Sequence, residues 1–140
     1  IMAAENVTSL PLADWDAALD LNLRAPFLLA QACAPKMPSG SSIINISDMG
    51  AQKAWSRYPA YTVSKAALES MVRIYAAELA GTSVRANILN PGPTRTDMRA
   101  AAMPERSPAR MPGEISVKSV LPPRRKDFPD RIRLRGRAAI

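Results

Sequence analysis

This chain of 140 residues contains no histidine and one cysteine, Cys33. These shortages exclude a Cys/His metal site, a Cys–His nucleophilic pair and an internal disulfide. The six glycines, at positions 40, 50, 81, 92, 113 and 136, lie too far apart to form G-x-G-x-x-G or G-x-x-x-G-x-G. A turn of that kind is what lets backbone N–H groups and a helix N-terminus approach a pyrophosphate. No apolar run approaches the ~20 residues that span a bilayer, so no membrane association is expected. Glu5 and Asn6 interrupt the N-terminus early, so no signal peptide is expected either. A cytoplasmic location is the default. Apolar residues make up 47% of the chain, enough for one modest core and too many for disorder throughout.

The net charge of +7 is unevenly placed. Residues 1–103 carry nine basic and eight acidic side chains, whereas residues 104–140 carry ten basic and four acidic, with six of the thirteen prolines. The basicity therefore belongs to a tail rich in proline and arginine (Arg124, Arg125, Lys126, Arg131, Arg133, Arg135, Arg137), which is expected to be poorly ordered. With one aromatic, Phe128, and no recognisable module, that tail argues for a solvated segment rather than a nucleic-acid interface. The chain thus divides into a near-neutral body, 1–103, and a basic tail, 104–140.

Within the body, Trp15, Leu19, Leu23, Phe27 and Ala30 recur at helical spacing, and Asp14 and Asp16 suit a first turn. Pro26 has no N–H to offer the carbonyl of Asn22, so a kink is expected there. Residues 42–47, Ser-Ile-Ile-Asn-Ile-Ser, read as a short buried strand between Gly40 and Gly50. Pro59 opens a second helix running to about Ala80, with Val63, Ala67, Leu68, Met71, Val72, Tyr75, Ala76 and Leu79 on its apolar face, and Gly81 stops it. Residues 84–89 read as a second strand, closed by Asn90-Pro91-Gly92-Pro93. Helix, strand, helix, strand implies parallel pairing in an α/β sheet.

The chemistry concentrates where the first strand ends and the second helix begins. Tyr61 and Lys65, four apart, share a helix face. An ammonium beside a phenol favours the phenolate, lowering a pKa of about 10 and making the tyrosine a usable acid or base. Alone, Tyr-x-x-x-Lys is a weak signal. The plain alternative is a solvated Lys65–Glu69 ion pair, an Asn22 satisfied within its helix and a simple turn at Pro91-Gly92.

Four stretches change that balance: "DLNLRAPF" around Asn22, "IINISDMG" at the strand end, "YTVSKAALESM", and "VRANILNPGPTRTDM". In this order and spacing they resemble the short-chain dehydrogenase/reductase family over about residues 1–103. The resemblance implies a partial Rossmann-like fold, a doubly wound parallel sheet lacking its N-terminal βαβ half. It also implies an NAD(P)-dependent oxidoreductase, with NADP or NAD as cofactor and a small carbonyl or alcohol substrate. By the same resemblance, Tyr61 exchanges the proton with the substrate while Lys65 holds the nicotinamide ribose. The main-chain carbonyl of Asn22 would hold a relay water, and Pro91, Gly92 and Thr96, with Thr94 nearby, would bind the nicotinamide end. Residues 15–32 and 61–80 resemble the helices through which the family forms dimers and tetramers, so a homo-oligomer is expected; a fragment that binds relatives without turnover is the alternative.

Asp48 departs from the family, which usually places a serine thirteen residues before its tyrosine. Ser47 is adjacent, but alternation along a strand should point it to the other face. An ionised carboxylate donates no hydrogen bond, yet it can accept from amino or ring N–H groups of a substrate. That feature resembles the pteridine-reductase branch and leaves a pterin-like substrate as one alternative and a weakened site as another. In the family the glycine-rich turn and four strands precede the stretch that opens here. The change of composition near Pro104 fits a reading-frame slip or mis-called gene, making this chain the C-terminal half of such an enzyme with an unrelated tail.

Overall fold

Leu68, Val72 and Ala76 recur every four residues and so line one stripe of a helix. That helix, α3 (Pro59–Glu78), begins at Pro59, whose fixed φ suits a first turn, and ends in a 3-10 turn, Leu79–Gly81. Its stripe is buried against Ala86 and Ile88 of strand β2 (Arg85–Asn90), with Met71 and Tyr75 packed around them. Burial alternates along β2: Ala86, Ile88 and Asn90 are buried, whereas Arg85, Asn87 and Leu89 are more exposed. The computed structural model describes residues 2, 4–53, 55–91, 96–102, 114–119 and 132–135, the last two segments as backbone.

Strand β1 (Ser42–Ile46) runs parallel to β2, with Ser42 opposite Arg85 and Ile46 opposite Leu89. Helix α3 is the crossover between them, the expected βαβ unit. Two further strands lie beyond residue 103. Strand β3 (Glu114–Ser119) pairs antiparallel with β2, and β4 (Ile132–Arg135) antiparallel with β3, giving the order β1-β2-β3-β4. The alternating arginines that make residues 132–135 a poor central strand are acceptable at the edge where β4 lies. Strand β1 occupies the other edge. Ile44 and Ile46 there remain 61% and 48% exposed, unlike the buried strand their composition suggests, because among the described residues the face they share is left largely uncovered.

The first helical segment is not continuous. Helix α1 (Leu12–Leu19) passes through a π-helical turn, Asp20–Arg24, into α2 (Ala25–Cys33). The Ala25 N–H reaches back five residues to the Asp20 carbonyl, one residue before Pro26. The kink expected from the missing proline N–H is thus taken up as a widened turn centred on Asn22. Tyr75 ties this segment to α3 by donating to the Phe27 carbonyl at 3.3 Å. A short helix, α4 (Asp97–Ala102), follows β2, and the Tyr58 hydroxyl holds its end by donating to the Ala102 carbonyl at 2.6 Å. Among the described residues no helix is long and apolar enough to cross a membrane.

Ile88 is 2% exposed at the centre of the α3–β2 contact. Truncating it removes buried methyl groups and leaves a cavity, so Ile88→Ala is expected to lower stability by about 2–5 kcal/mol, read from the urea midpoint. A loss below about 1 kcal/mol would mean that this contact does not organise the core.

Candidate active site

Three side chains of α3, spaced four residues apart, meet three consecutive residues at the end of β1. Tyr61 meets Asp48, Lys65 meets Ile46, and Glu69 meets Ser47. The Lys65 Nζ donates to the Ile46 carbonyl at 3.0 Å and lies 5.9 Å from the centre of the Tyr61 ring. Tyr61 is 5% exposed. Asp48 caps the 3-10 turn Met49–Gln52, its Oδ1 accepting the Gly50 N–H at 2.7 Å. Gly50 suits this close turn, since an added Cβ would stand a tight 3.2 Å from Asp48 Oδ1 and 3.2 Å from Trp55 Cε3, so a neighbour would have to shift.

The electrostatics differ from the sequence expectation. The Tyr61 phenol is pushed above its ordinary value, first by burial, then by the Asp48 charge, then by a hydrogen bond to the Asp48 carboxylate. Lys65 was expected to pull it down, but its ammonium donates to the Ile46 carbonyl and is not among the causes of the Tyr61 shift. Burial lowers the Lys65 pKa, and the attraction of Asp48 opposes that fall. Ionisation of the phenol is therefore disfavoured here, opposite to the downward shift expected from Lys65.

Asn22 is joined to the tyrosine through a residue that the motif reading passed over. Its Nδ2 donates to Ser64 Oγ at 3.1 Å, and that hydroxyl donates to the Tyr61 carbonyl at 2.8 Å. Ser64, fully buried and three residues after Tyr61, could have been noticed as a polar residue on the inner side of an apolar helix. Glu69 is the other. The sequence offered it as a solvated partner for Lys65, yet it is buried and bonded to Ser47, Gln52 and Asn90. The Ser47 hydroxyl is taken up by Glu69, two turns beyond Tyr61 on the same helix.

Of the expected cofactor-binding residues, Pro91 directly follows β2, and the Thr96 carbonyl accepts the Ala100 N–H at 3.0 Å at the start of α4. Gly92 and Thr94 lie outside the described residues. Tyr61, Lys65, Asn22 and Asp48 are brought together around the C-terminal end of β1. Lys65 and the Tyr61 hydroxyl are donors of the kind that suit ribose hydroxyls, so this end of the site fits a nicotinamide nucleotide. The widely spaced glycines supply no matching cradle for a pyrophosphate. Among the described residues no group of three or more His, Cys, Asp or Glu is placed to hold a metal ion.

The Asp48 contribution is directly measurable. Asp48→Asn removes the charge that opposes ionisation of Tyr61. The tyrosine should then ionise at lower pH, read by phenolate absorbance as the difference from the same chain carrying Tyr61→Phe. An unchanged titration would mean that burial alone sets the phenol.

Comparison with known proteins gives the family. A family model described as enoyl-(acyl carrier protein) reductase matches residues 1–121. A short-chain type dehydrogenase/reductase of Picea abies is 43% identical over 94 residues, covering 66% of this chain and 35% of its own length. Among solved structures, the oxidoreductase YciK from E. coli superposes with a TM-score of 0.71 at 30% identity, covering 79% of this chain and 46% of that one. A blue fluorescent protein from a metagenomic library, in complex with NADPH, gives a TM-score of 0.67 at 36% identity, covering 70% and 40%. The chain spans about a third of the length of its Picea abies relative and under half of the structural neighbours. A matched family model over most of the chain, the Tyr61–Lys65 helix and the βαβ unit beneath it agree: this chain belongs to the short-chain dehydrogenase/reductase family of oxidoreductases, with a partial Rossmann-type α/β fold.

Proposed function

We propose that this chain carries the proton-transfer end of a nicotinamide-dependent oxidoreductase, acting on a small carbonyl or alcohol substrate with NAD or NADP. The observation that carries the reading is geometric: the buried Tyr61, Lys65 and Asp48 meet at the C-terminal end of β1. Relatives in complex with NADPH support a nicotinamide cofactor. That cofactor, when bound, supplies or accepts the hydride at the substrate carbon. Tyr61 would give its proton to the carbonyl oxygen in reduction; the reverse, oxidation, requires the phenolate, which burial and Asp48 disfavour. Lys65 would hold the nicotinamide ribose by hydrogen bonding, with Pro91, Gly92, Thr94 and Thr96 along the nicotinamide. Asn22 orients the first turns of α3 through Ser64, and its main-chain carbonyl would hold the water that restores the proton to Tyr61.

Asp48 favours a narrower reading of the substrate. Its carboxylate beside the phenol presents acceptor lone pairs where the family usually places a hydroxyl donor. A substrate with amino or ring N–H groups, pterin-like in chemistry, would complement it. A homo-oligomer is supported by an apolar trough of about 710 Å³ between the α1–α2 segment and α3, lined by Leu19, Leu23, Phe27, Met71 and Ile74. Asp20 and Arg24 at its rim, 3.4 Å apart and exposed, could exchange partners across a two-fold axis.

The test is a fluorescence titration of NADPH, then NADH, into the chain. Saturable binding that Lys65→Ala weakens tenfold or more, about 1.4 kcal/mol, is the expected result. Binding indifferent to Lys65→Ala, or none in a folded sample, overturns the reading for this chain.

A further inference from the structure

Glu69 lies two turns beyond Tyr61 on α3 and contacts neither the phenol nor the Lys65 ammonium among the bonds described above. It is 5% exposed, and a carboxylate taken out of water must be compensated by donors or it destabilises the fold. Its donors come from two different strand ends. Ser47 Oγ donates to Oε1 at 3.0 Å and Asn90 Nδ2 to the same oxygen at 3.2 Å. Gln52 Nε2 lies 3.4 Å from both carboxylate oxygens, and Arg73 stands 3.8 Å from Oε2, reaching in from the surface. Ser47 immediately precedes Asp48, and Gln52 ends the turn that Asp48 caps. Asn90 immediately precedes Pro91 and ends β2.

We propose that Glu69 is a positioning residue: one buried carboxylate bridges the C-terminal ends of β1 and β2 and fixes the spacing between the Asp48 turn and the Pro91 segment. This rests on the proposed function for its meaning, because those two segments are the substrate side and the nicotinamide side of the site. A pin serving only one strand would need donors from that strand alone. The backbone already joins these ends through the Ser47 N–H, which donates to the Leu89 carbonyl at 2.8 Å. In addition to that bond the Ser47 and Asn90 side chains share a single acceptor atom, so displacement of the Asn90 side reaches the Asp48 turn through Glu69. The Asn90 Oδ1 has no partner among the described residues, so the amide is held by its NH₂ end through Glu69. Glutamine at 69 would keep an acceptor oxygen for Ser47 and Asn90 while removing the charge, and alanine would remove both.

The bridge can be tested without cofactor by amide hydrogen exchange on the whole chain. The amides of Gly50, Ala51 and Lys53, each bonded within the Asp48 turn, report on the β1 end. Asn90→Ala, made on the other strand, is expected to speed their exchange by about threefold or more. That effect should vanish when Glu69 is already alanine and should persist with Glu69→Gln. A cross-strand effect that survives Glu69→Ala, or none in the original chain, overturns the bridge. Should Glu69→Ala fail to fold, the reciprocal pair decides: Ser47→Ala must speed exchange at Asn90, and no change there refutes the proposal. In NADPH titrations Glu69→Ala should weaken binding while Glu69→Gln restores it to within about threefold. Because the exchange readout needs no ligand, a chain that binds no NADPH sinks the functional reading and leaves the bridge to be judged by exchange.

Discussion

Everything at this site depends on how α3 is seated over the end of β1. Three side chains four residues apart fall on one stripe of the helix, and each engages a different residue of Ile46, Ser47 and Asp48. The seating is also set by the apolar stripe, because Leu68, Val72 and Ala76, about two to four turns beyond Tyr61, lock the same helix onto Ala86 and Ile88. Rotation of α3 would therefore disturb Tyr61, Lys65 and Glu69 together. Packing of the apolar stripe and geometry of the polar stripe are two sides of one helix.

Two carboxylates beside that helix behave differently because their partners differ. Asp48 accepts one backbone N–H and hydrogen-bonds the Tyr61 phenol, where its charge adds to burial in raising the cost of ionising it. Glu69 is surrounded by side-chain donors from both strand ends and acts as a joint. A neutral hydroxyl in place of Asp48 would leave the phenol opposed by burial alone. The departure from the usual family residue is thus also a change in the acid–base character of the site.

Much of this was legible in the chain itself. The four-residue repeat of small and branched apolar side chains marked α3, and the β-branched runs marked β1 and β2, because helix and strand periodicities differ. Pro26 announced the interruption at Asn22, since a missing N–H has no substitute within a regular α-helix. Residues 132–135 were harder to read, because their alternating arginines suit an edge position and strand order is not written locally.

What the sequence determined by itself was periodicity, the positions of breaks, and the pairing of Tyr61 with Lys65 on one helix face. All are properties of neighbours within about four residues. Only the tertiary structure decided what those groups meet. It turned Lys65 to the Ile46 carbonyl, brought Asp48 to the phenol and buried Glu69 between two strands 43 residues apart in their Ser47 and Asn90 contacts. The direction of the tyrosine shift followed from those contacts. Electrostatic interaction depends on distance in space and on exclusion of water, and neither is fixed by spacing along the chain.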